Sequence, residues 1–279
     1  MTASTRNNAM LNGLSMSWLE WPDPGDTAKC SVLILHGILQ NAEGMSSLAQ
    51  HLAPYHRVVV PDLRGRGETG KPEDGYHPTA MAEDLAKLIA LLDLERLVVI
   101  GRIHGGVVGY RLAAIAPRLV HALILGDTRP EINQARAELR QRVIRDIPRS
   151  FESLDAAIEF YRHGLGLSEE RARHDIPHDL ALEDGQYVWK HDLDVIAEIE
   201  AASSPRSDWD VLERIAAPTL LLRGQRGRVT AETADRMKST MPRCEVQTIF
   251  GANHDVFIGP GAEQALGAID MFLMRLNRV

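Results

Sequence analysis

The sequence predicts an α/β protein with a doubly wound, mostly parallel sheet and an inserted helical cap. Stretches with helical periodicity alternate with short apolar runs, as in sheets covered by helices on both faces. Near-continuous apolar runs of this length are typical of strands buried on both faces. There are six of them: Ser31 to Leu35, Arg57 to Val60, Leu97 to Ile100, Ala122 to Leu125, Thr219 to Leu222, and Glu245 to Ile249.

The other elements follow from local signals. Asn12-Gly13 lies between strand-like residues, and this dipeptide predicts a tight antiparallel hairpin at one edge of the sheet. Thr79 to Leu94 predicts a helix with Thr79 as its N-cap and an apolar stripe along one side. The same periodicity predicts helices in three further segments: "HGGVVGYRLAAIAP", "AETADRMKSTMP" and "GAEQALGAIDMFLMRL".

One interval interrupts the alternation of strand and helix. From about Thr128 to Ala217 the chain shows amphipathic helical stretches and no buried-strand pattern. We therefore expect residues 1–127 and 218–279 to form the two parts of one α/β core. Residues 128–217 are then a helical cap inserted between two strands of that core.

Composition narrows the class of partner. A formal net charge of −7 and no dense basic patch argue against nucleic acid, because binding to DNA or RNA depends on neutralising phosphates. The one basic run is interpreted as a solvated helix face: Arg136, Arg140, Arg142, Arg145 and Arg149. Two isolated cysteines and the lack of a signal core or membrane-spanning run favour a cytoplasmic protein without a membrane partner. The composition is compatible with a homodimer.

Polar, glycine-rich segments follow the predicted strands. In an open parallel sheet, ligands bind beyond the carboxyl ends of the strands, so these segments are the expected site. In chain order they are "HGILQN", "PDLRGRGET", "GRIHGG", "GDTRPEI", "RGQRGR" and "FGANHD". No metal-ligand spacing or nucleotide-binding glycine motif occurs, so no cofactor or metal is expected.

Taken in order, these segments resemble the α/β-hydrolase superfamily over almost the whole chain. That family carries its nucleophilic serine on a sharp strand-to-helix turn, the G-x-S-x-G elbow. Here Gly101, Gly105 and Gly106 retain the turn, but Ile103 occupies the nucleophile position. A hydrocarbon side chain cannot attack a carbonyl, so a covalent acyl-enzyme is excluded at this residue. The resemblance implies oxyanion donors at the backbone amides of Ile38 and His104, with the His104 ring structural.

The resemblance also implies a general base and its partner. His254 in "FGANHD" matches the family's catalytic histidine. The usual acid would fall near Gly227, where no acid is found, so Asp127 after the fourth run is expected to orient His254. Asp255 is the weaker alternative, because adjacent side chains in a loop usually diverge.

Several other residues are candidates. Arg64 is expected to anchor loops. His36, Tyr187, Trp189 and His191 are predicted to bind substrate, although the last three fit the core of the cap equally well. Arg102 and Arg129 would suit an anionic substrate if they pointed inward, but exposure at the surface is favoured for both.

Two functions from different classes follow. The first is a cofactor-free enzyme that uses the His254–Asp127 pair as acid and base on a small, largely apolar or aromatic molecule. Hydrolysis by direct water attack and C–C, lyase or oxygenase chemistry all fit, and the elbow is similar to that of cofactor-independent dioxygenases. The second is an inactive relative that binds a ligand or protein. In a third interpretation, the protein is an ordinary serine hydrolase in which an engineered or incidental change has put Ile103 in place of the nucleophilic serine. Charged residues lining the pocket would contradict the prediction of a largely apolar or aromatic substrate.

Overall fold

A computed structural model describes residues 3–25, 30–165 and 167–276. The predicted fold class is confirmed, with helices on both sides of an eight-stranded, mostly parallel sheet. The strands are β1 Thr5–Leu11, β2 Leu14–Trp21, β3 Ser31–Leu35, β4 Arg57–Pro61, β5 Leu97–Arg102, β6 Val120–Gly126, β7 Glu131–Ile132, β8 Ser150–Phe151, β9 Leu180–Glu183, β10 Gln186–Trp189, β11 Arg206–Ser207, β12 Thr219–Gly224 and β13 Cys244–Ile249. The helices are α1 Ser46–Leu52, α2 Pro78–Leu92, α3 His104–Ile115, α4 Gln134–Arg145, α5 Leu154–Glu159, α6 Glu169–Asp179, α7 Leu193–Ser203, α8 Trp209–Leu212, α9 Ala231–Thr240 and α10 Ala262–Leu276.

The main sheet has the order β1-β2-β4-β3-β5-β6-β12-β13. Strand β2 pairs antiparallel with both β1 and β4, whereas the pairs from β4 to β13 are parallel. All six apolar runs in the sequence are strands of this parallel part. The loops that follow these parallel strands therefore meet at one edge of the sheet.

The apolar runs are explained by burial on both faces of the sheet. In β3, Val32 and Ile34 pack into one apolar cluster, while Leu33 and Leu35 pack into the other. Successive side chains of a strand point to opposite faces, so a strand between two helical layers needs apolar residues at every position. Each such fully buried side chain contributes about 1.5–3 kcal/mol relative to an exposed one.

Two local predictions have different outcomes. The hairpin is confirmed, because β1 pairs with β2 through a turn in which Asn12 and Gly13 both have positive φ. The N-cap prediction is wrong. Helix α2 starts at Pro78, and the His77 side chain accepts the amide hydrogen of Thr79 at 3.2 Å. Proline is favoured in the first turn because its missing N–H needs no partner there, and this moves the start of the helix forward.

Residues 128–217, here called the insert, lie between β6 and β12. The expectation that the insert is entirely helical is wrong, since it holds a three-stranded sheet, β8-β10-β9, and a two-stranded one, β11-β7, beside helices α4 to α8. Its strands are only two to four residues long, which is too short for alternation to appear in the sequence. A separate apolar cluster, including Phe151, Tyr161 and Ile176, stabilises this part.

Candidate functional site

The elbow after β5 keeps its sharp backbone turn. Ile103 joins β5 to α3 with φ 49° and ψ −99°, and its amide donates to Gly126 O at 3.0 Å. Positive φ is a genuine outlier for a β-branched residue, so the surrounding structure imposes this conformation. A Cβ on Gly101 would lie 2.4 Å from Gly106 Cα, and one on Gly105 would lie 2.2 Å from Leu35 O. Close backbone packing therefore fixes the turn, whatever side chain stands at position 103.

The two expected oxyanion donors lie at the ends of β3 and β5. Neither the amide of Ile38 nor that of His104 donates a hydrogen bond within the described residues. His104 begins α3, and the first amides of a helix have no partner inside the helix. The His104 ring is buried, and burial lowers its pKa well below the usual value, as expected for a structural histidine. Their role as oxyanion donors stays a prediction.

A cavity of about 310 Å³, here called the main pocket, opens beside Ile103. One part of its lining is apolar and comes from both the core and the insert: Ile38, Leu39, Ile103, Leu139, Val143, Ile144, Leu165 and Leu167. The other part is charged: Arg102, Arg140, Arg171, Arg228 and Asp175, together with His254. The charged part of the lining contradicts a substrate that is apolar apart from one reacting group, because the fold turns four arginines toward the same cavity, whereas the apolar part still fits an apolar or aromatic body.

His254 lines the main pocket and is held neutral. Its pKa is lowered to about 3, first by burial and then by the positive charges of Arg228, Arg102, Arg171 and Arg140. Burial disfavours the charged imidazolium, and each nearby cation disfavours it further. Within the described residues, the ring makes no hydrogen bond to another protein group. A neutral imidazole can accept a proton, but no carboxylate in the described part of the chain pairs with this ring to stabilise the resulting cation.

The structure does not bring Asp127 to His254. The Asp127 carboxylate instead accepts backbone amide hydrogens from Arg228 at 2.6 Å, Gly224 at 3.2 Å and Val229 at 3.4 Å. No hydrogen bond or ion pair joins it to His254 in the part of the chain that the structure describes. Asp127 thus holds the loop after β12, and burial raises its pKa.

Asp255 turns away from its neighbour His254. Its Oδ2 atom lies 2.9 Å from Arg102 and 2.6 Å from Arg171, so one carboxylate bridges β5 and α6. All three side chains are almost fully buried. The expected exposure of Arg102 is therefore wrong, because the ion pair with Asp255 allows this guanidinium to be buried behind the elbow.

The remaining two pocket arginines differ from each other. Arg140 lies 2.6 Å from Glu200, so it is not part of a fully solvated helix face, unlike the exposed Arg136 and Arg142. Arg228 forms no side-chain hydrogen bond or ion pair among the described residues, and burial, first among the causes, lowers its pKa to about 10. Sequence reasoning missed Arg228, although it lies in the "RGQRGR" segment that was searched for an acid.

Comparisons with known proteins agree with this fold. Residues 31–260 match the family model described as the alpha/beta hydrolase fold. The chain belongs to the α/β-hydrolase family. Its alignment with a Bacillus subtilis (strain 168) protein, provisionally named 2-succinyl-6-hydroxy-2,4-cyclohexadiene-1-carboxylate synthase, is 27% identical and covers 85% of this chain and 88% of that protein.

Two further relatives extend the comparison. An esterase from Mycobacterium tuberculosis (strain H37Rv) is 31% identical over 69% of this chain and 65% of its own length. The crystal structure of an alpha/beta hydrolase from Novosphingobium aromaticivorans superposes with a TM-score of 0.83 at 26% identity, covering 99% of both chains. These matches place the chain among the enzymes of the hydrolase superfamily.

The four residues predicted to bind substrate in this α/β-hydrolase lie outside the main pocket. His36 is fully buried; its Nε2 accepts from the Leu63 amide at 3.0 Å, and its Nδ1 lies 2.8 Å from Gly37 O. Tyr187 pairs with Phe151 across β10 and β8. Trp189 stacks on Tyr161 and donates to Pro148 O, and His191 is buried beside Trp189. Packing in the core of the protein and of the insert accounts for these side chains, so the lining of the main pocket gives no support to their predicted role in substrate binding.

The remaining sequence predictions concern Arg64, Arg129, membrane spans and metal sites. Arg64 donates to both carboxylate oxygens of Asp84, at 2.7 and 2.8 Å, and ties a loop to α2 as expected. Arg129 is only half-buried and lines a groove apart from the main pocket. In residues 3–25, 30–165 and 167–276, no helix is long and apolar enough to span a bilayer, and no group of His, Cys, Asp or Glu forms a metal site.

Proposed function

We propose that this α/β-hydrolase is a cofactor-free enzyme that acts on a small molecule by non-covalent acid/base chemistry at His254. The observation that carries the proposal is the pairing of an intact elbow with a missing nucleophile. Ile103 has the backbone conformation of the elbow, and both Ile103 and His254 line the main pocket. A covalent route is closed by the isoleucine side chain, whereas the proton-accepting group is present.

The mechanism assigns one role to each part of the site. Neutral His254 accepts a proton from the substrate or from an attacking water, and the negative charge that develops is stabilised by the amides of Ile38 and His104. General base catalysis contributes about 10²–10⁴-fold, and one oxyanion donor contributes about 10²–10³-fold. The pocket arginines add a positive field that favours an anionic intermediate over the neutral reactant.

The reaction is limited to activated substrates. A base whose pKa of about 3 lies far below neutral pH removes a proton only from an acidic or activated group. The relatives carry names of different reactions, an esterase and a carboxylate synthase, so they support an enzyme without choosing the reaction. The apolar part of the main pocket, including Val143 and Leu167, favours a substrate with an apolar or aromatic body.

The test is metabolite consumption in ¹⁸O-labelled water, followed by mass spectrometry. The protein is compared with H254A and with H163A, a matched control at an exposed histidine on the insert. Compounds consumed by the protein and by H163A, but not by H254A, are the expected result. Incorporation of ¹⁸O into the product then identifies hydrolysis, and its absence identifies elimination, decarboxylation or oxygen chemistry. Equal consumption by H254A would contradict the assignment of His254.

A second candidate function is a ligand-binding relative without turnover. The observation that favours it is the lack of a carboxylate partner for His254 within the described residues, together with its low pKa. The same experiment separates the two functions. Retention of a compound by the protein and by H254A alike, with no consumption by either, would favour the binding function.

A further inference from the structure

Four arginines influence His254, and among the described residues only one of them forms no ion pair. Arg102 and Arg171 share Asp255, Arg171 also lies 2.5 Å from Asp175, and Arg140 is paired with Glu200. Arg228 has no ion pair among the described residues. Asp127 and Glu200 offset its charge only at longer range, so its guanidinium is the one at the main pocket without a direct partner among the described residues.

A half-buried guanidinium without a direct partner is unfavourable in the free protein. Removing a guanidinium from water without a partner costs free energy, and arginine cannot escape the cost by losing its proton at neutral pH. Moreover, the backbone of Arg228 is held by the 2.6 Å hydrogen bond to Asp127. The cation is thus kept at the pocket by a buried carboxylate that does not pair with its guanidinium.

Arg228 borders at least three cavities of the described residues, and their sizes and linings distinguish them. A chamber behind Ile103 has a volume of only about 10 Å³, about enough for a single water molecule. An outer groove of about 300 Å³ is lined by polar side chains, among them Glu131 and Glu232, with Trp209 as its one large apolar residue. The main pocket alone combines about 310 Å³ with a broad apolar wall.

We propose that Arg228 binds the carboxylate of a small monocarboxylic acid whose apolar body packs against Leu139, Val143 and Leu167 in the main pocket. A guanidinium matches a carboxylate with two parallel N–H···O bonds, and such charge-assisted pairs are the stronger ones. This inference deepens the proposed function by naming the class of ligand for the same site, and it concerns binding, whether or not turnover follows.

The bound carboxylate also changes the environment of His254. The charged groups around this ring in the free protein are the four arginines named above, with Asp255 and Asp175 engaged by Arg102 and Arg171. A ligand anion at Arg228 offsets the positive field that suppresses the imidazolium. Binding therefore raises the pKa of His254 and makes it a better base only when the ligand is present.

The test compares an acid with its uncharged amide. Hexanoate and hexanamide are titrated by ligand-observed NMR into the protein, R228Q, R228K and R214Q. Arg214 is an exposed arginine in the turn after α8, so R214Q is a control for the same change in net charge. We expect the protein and R214Q to bind hexanoate about 10- to 100-fold more tightly than hexanamide, the range for a hydrogen bond to a charged group. R228Q should lose this preference and R228K should keep part of it.

Chain length identifies the cavity. In the main pocket, affinity should rise by up to about fourfold per CH₂ from butyrate to hexanoate, since each buried CH₂ contributes about 0.8 kcal/mol. No dependence on chain length would instead place the anion in the outer groove and overturn the proposal. A preference for hexanoate that survives in R228Q, or no saturable binding of hexanoate by the protein, would also overturn it.

Two controls separate this inference from other failures. H254A should keep the preference for hexanoate, because the ring is not the anchor. If no compound is consumed in any experiment while the preference still depends on Arg228, the proposed enzyme function fails and the carboxylate site stands. Thermal unfolding of R228Q at or above the temperature of the unchanged protein shows that the loss of preference is not a loss of fold, since the substitution removes an unpaired charge.

Discussion

Asp255 lies 2.6 Å from Arg171, and this contact joins the residue next to His254 to helix α6 of the insert. The same carboxylate oxygen lies 2.9 Å from Arg102 at the end of β5. One buried anion thus joins two buried cations at the point where the core meets the insert, and Asp175 is a second partner of Arg171. The position of the His254 loop depends on this arrangement.

Removing the Asp255 charge should destabilise the protein strongly. D255N leaves Arg102 buried without its carboxylate, whereas Arg171 keeps Asp175, and breaking a buried ion pair from one side costs about 3–5 kcal/mol. Urea denaturation measures this free energy of unfolding. The control is D210N, which removes an exposed i,i+4 partner of Arg214 and should change stability by less than about 0.5 kcal/mol. Similar effects for both variants would refute the bridging role.

Asp127 should act through the loop of Arg228. D127N removes a charged acceptor from three backbone amides, so we expect a loss of about 1–3 kcal/mol in stability and a weaker preference for hexanoate. NMR resonances of the His254 ring test the alternative role, in which Asp127 orients His254 directly. A change in the tautomer of His254 in D127N, with hexanoate binding intact, would instead support a direct partnership between Asp127 and His254.

The low pKa of His254 makes stability depend on pH. The pKa is about 3 in the folded protein and about 6.5 in the unfolded chain, so the unfolded state binds the proton first as the pH falls. The contribution is fully present above about pH 6.5 and declines toward pH 3. Relative to H254N, the free energy of unfolding should fall by about 2 kcal/mol between pH 7.5 and pH 5. Parallel pH profiles for the two proteins would contradict the low pKa.

Two glycines should respond oppositely to alanine. A Cβ on Gly105 would lie 2.2 Å from Leu35 O, a backbone atom, so G105A should cost more than about 3 kcal/mol or prevent folding. Gly267 lies inside α10 with open space around its Cβ position. G267A should therefore stabilise the protein by about 0.5–1 kcal/mol through helix propensity. Thermal unfolding of the two variants measures both effects.

Restoring a hydroxyl at the elbow should not be enough for esterase activity. In I103S, the base beside the new hydroxyl has a pKa of about 3 and no carboxylate partner in the described residues, so hydrolysis of p-nitrophenyl butyrate should rise less than about tenfold. The double variant I103S/R228Q should be faster than I103S, because it removes the cation that lowers the pKa of His254 most. Strong activity in I103S alone would favour an ordinary serine hydrolase that has lost its nucleophile.

Local sequence signals predicted the scaffold of the site well. The parallel strands follow from apolar runs, and the hairpin follows from Asn12-Gly13. The elbow follows from Gly101, Gly105 and Gly106, whose close contacts leave no room for a Cβ. Prediction failed for the very short strands of the insert, since strands of two residues have no periodicity to detect.

The sequence by itself determined the strands of the main sheet, the turn that presents position 103, and the absence of a nucleophile there, because each depends on residues close together in the chain. The tertiary structure alone decided which charges meet. Arg102 and Asp255 are 153 positions apart, and Asp127 binds a loop after another strand instead of His254. Long-range packing selects such pairs through burial and mutual distance, and neither quantity is written in the local pattern of residues.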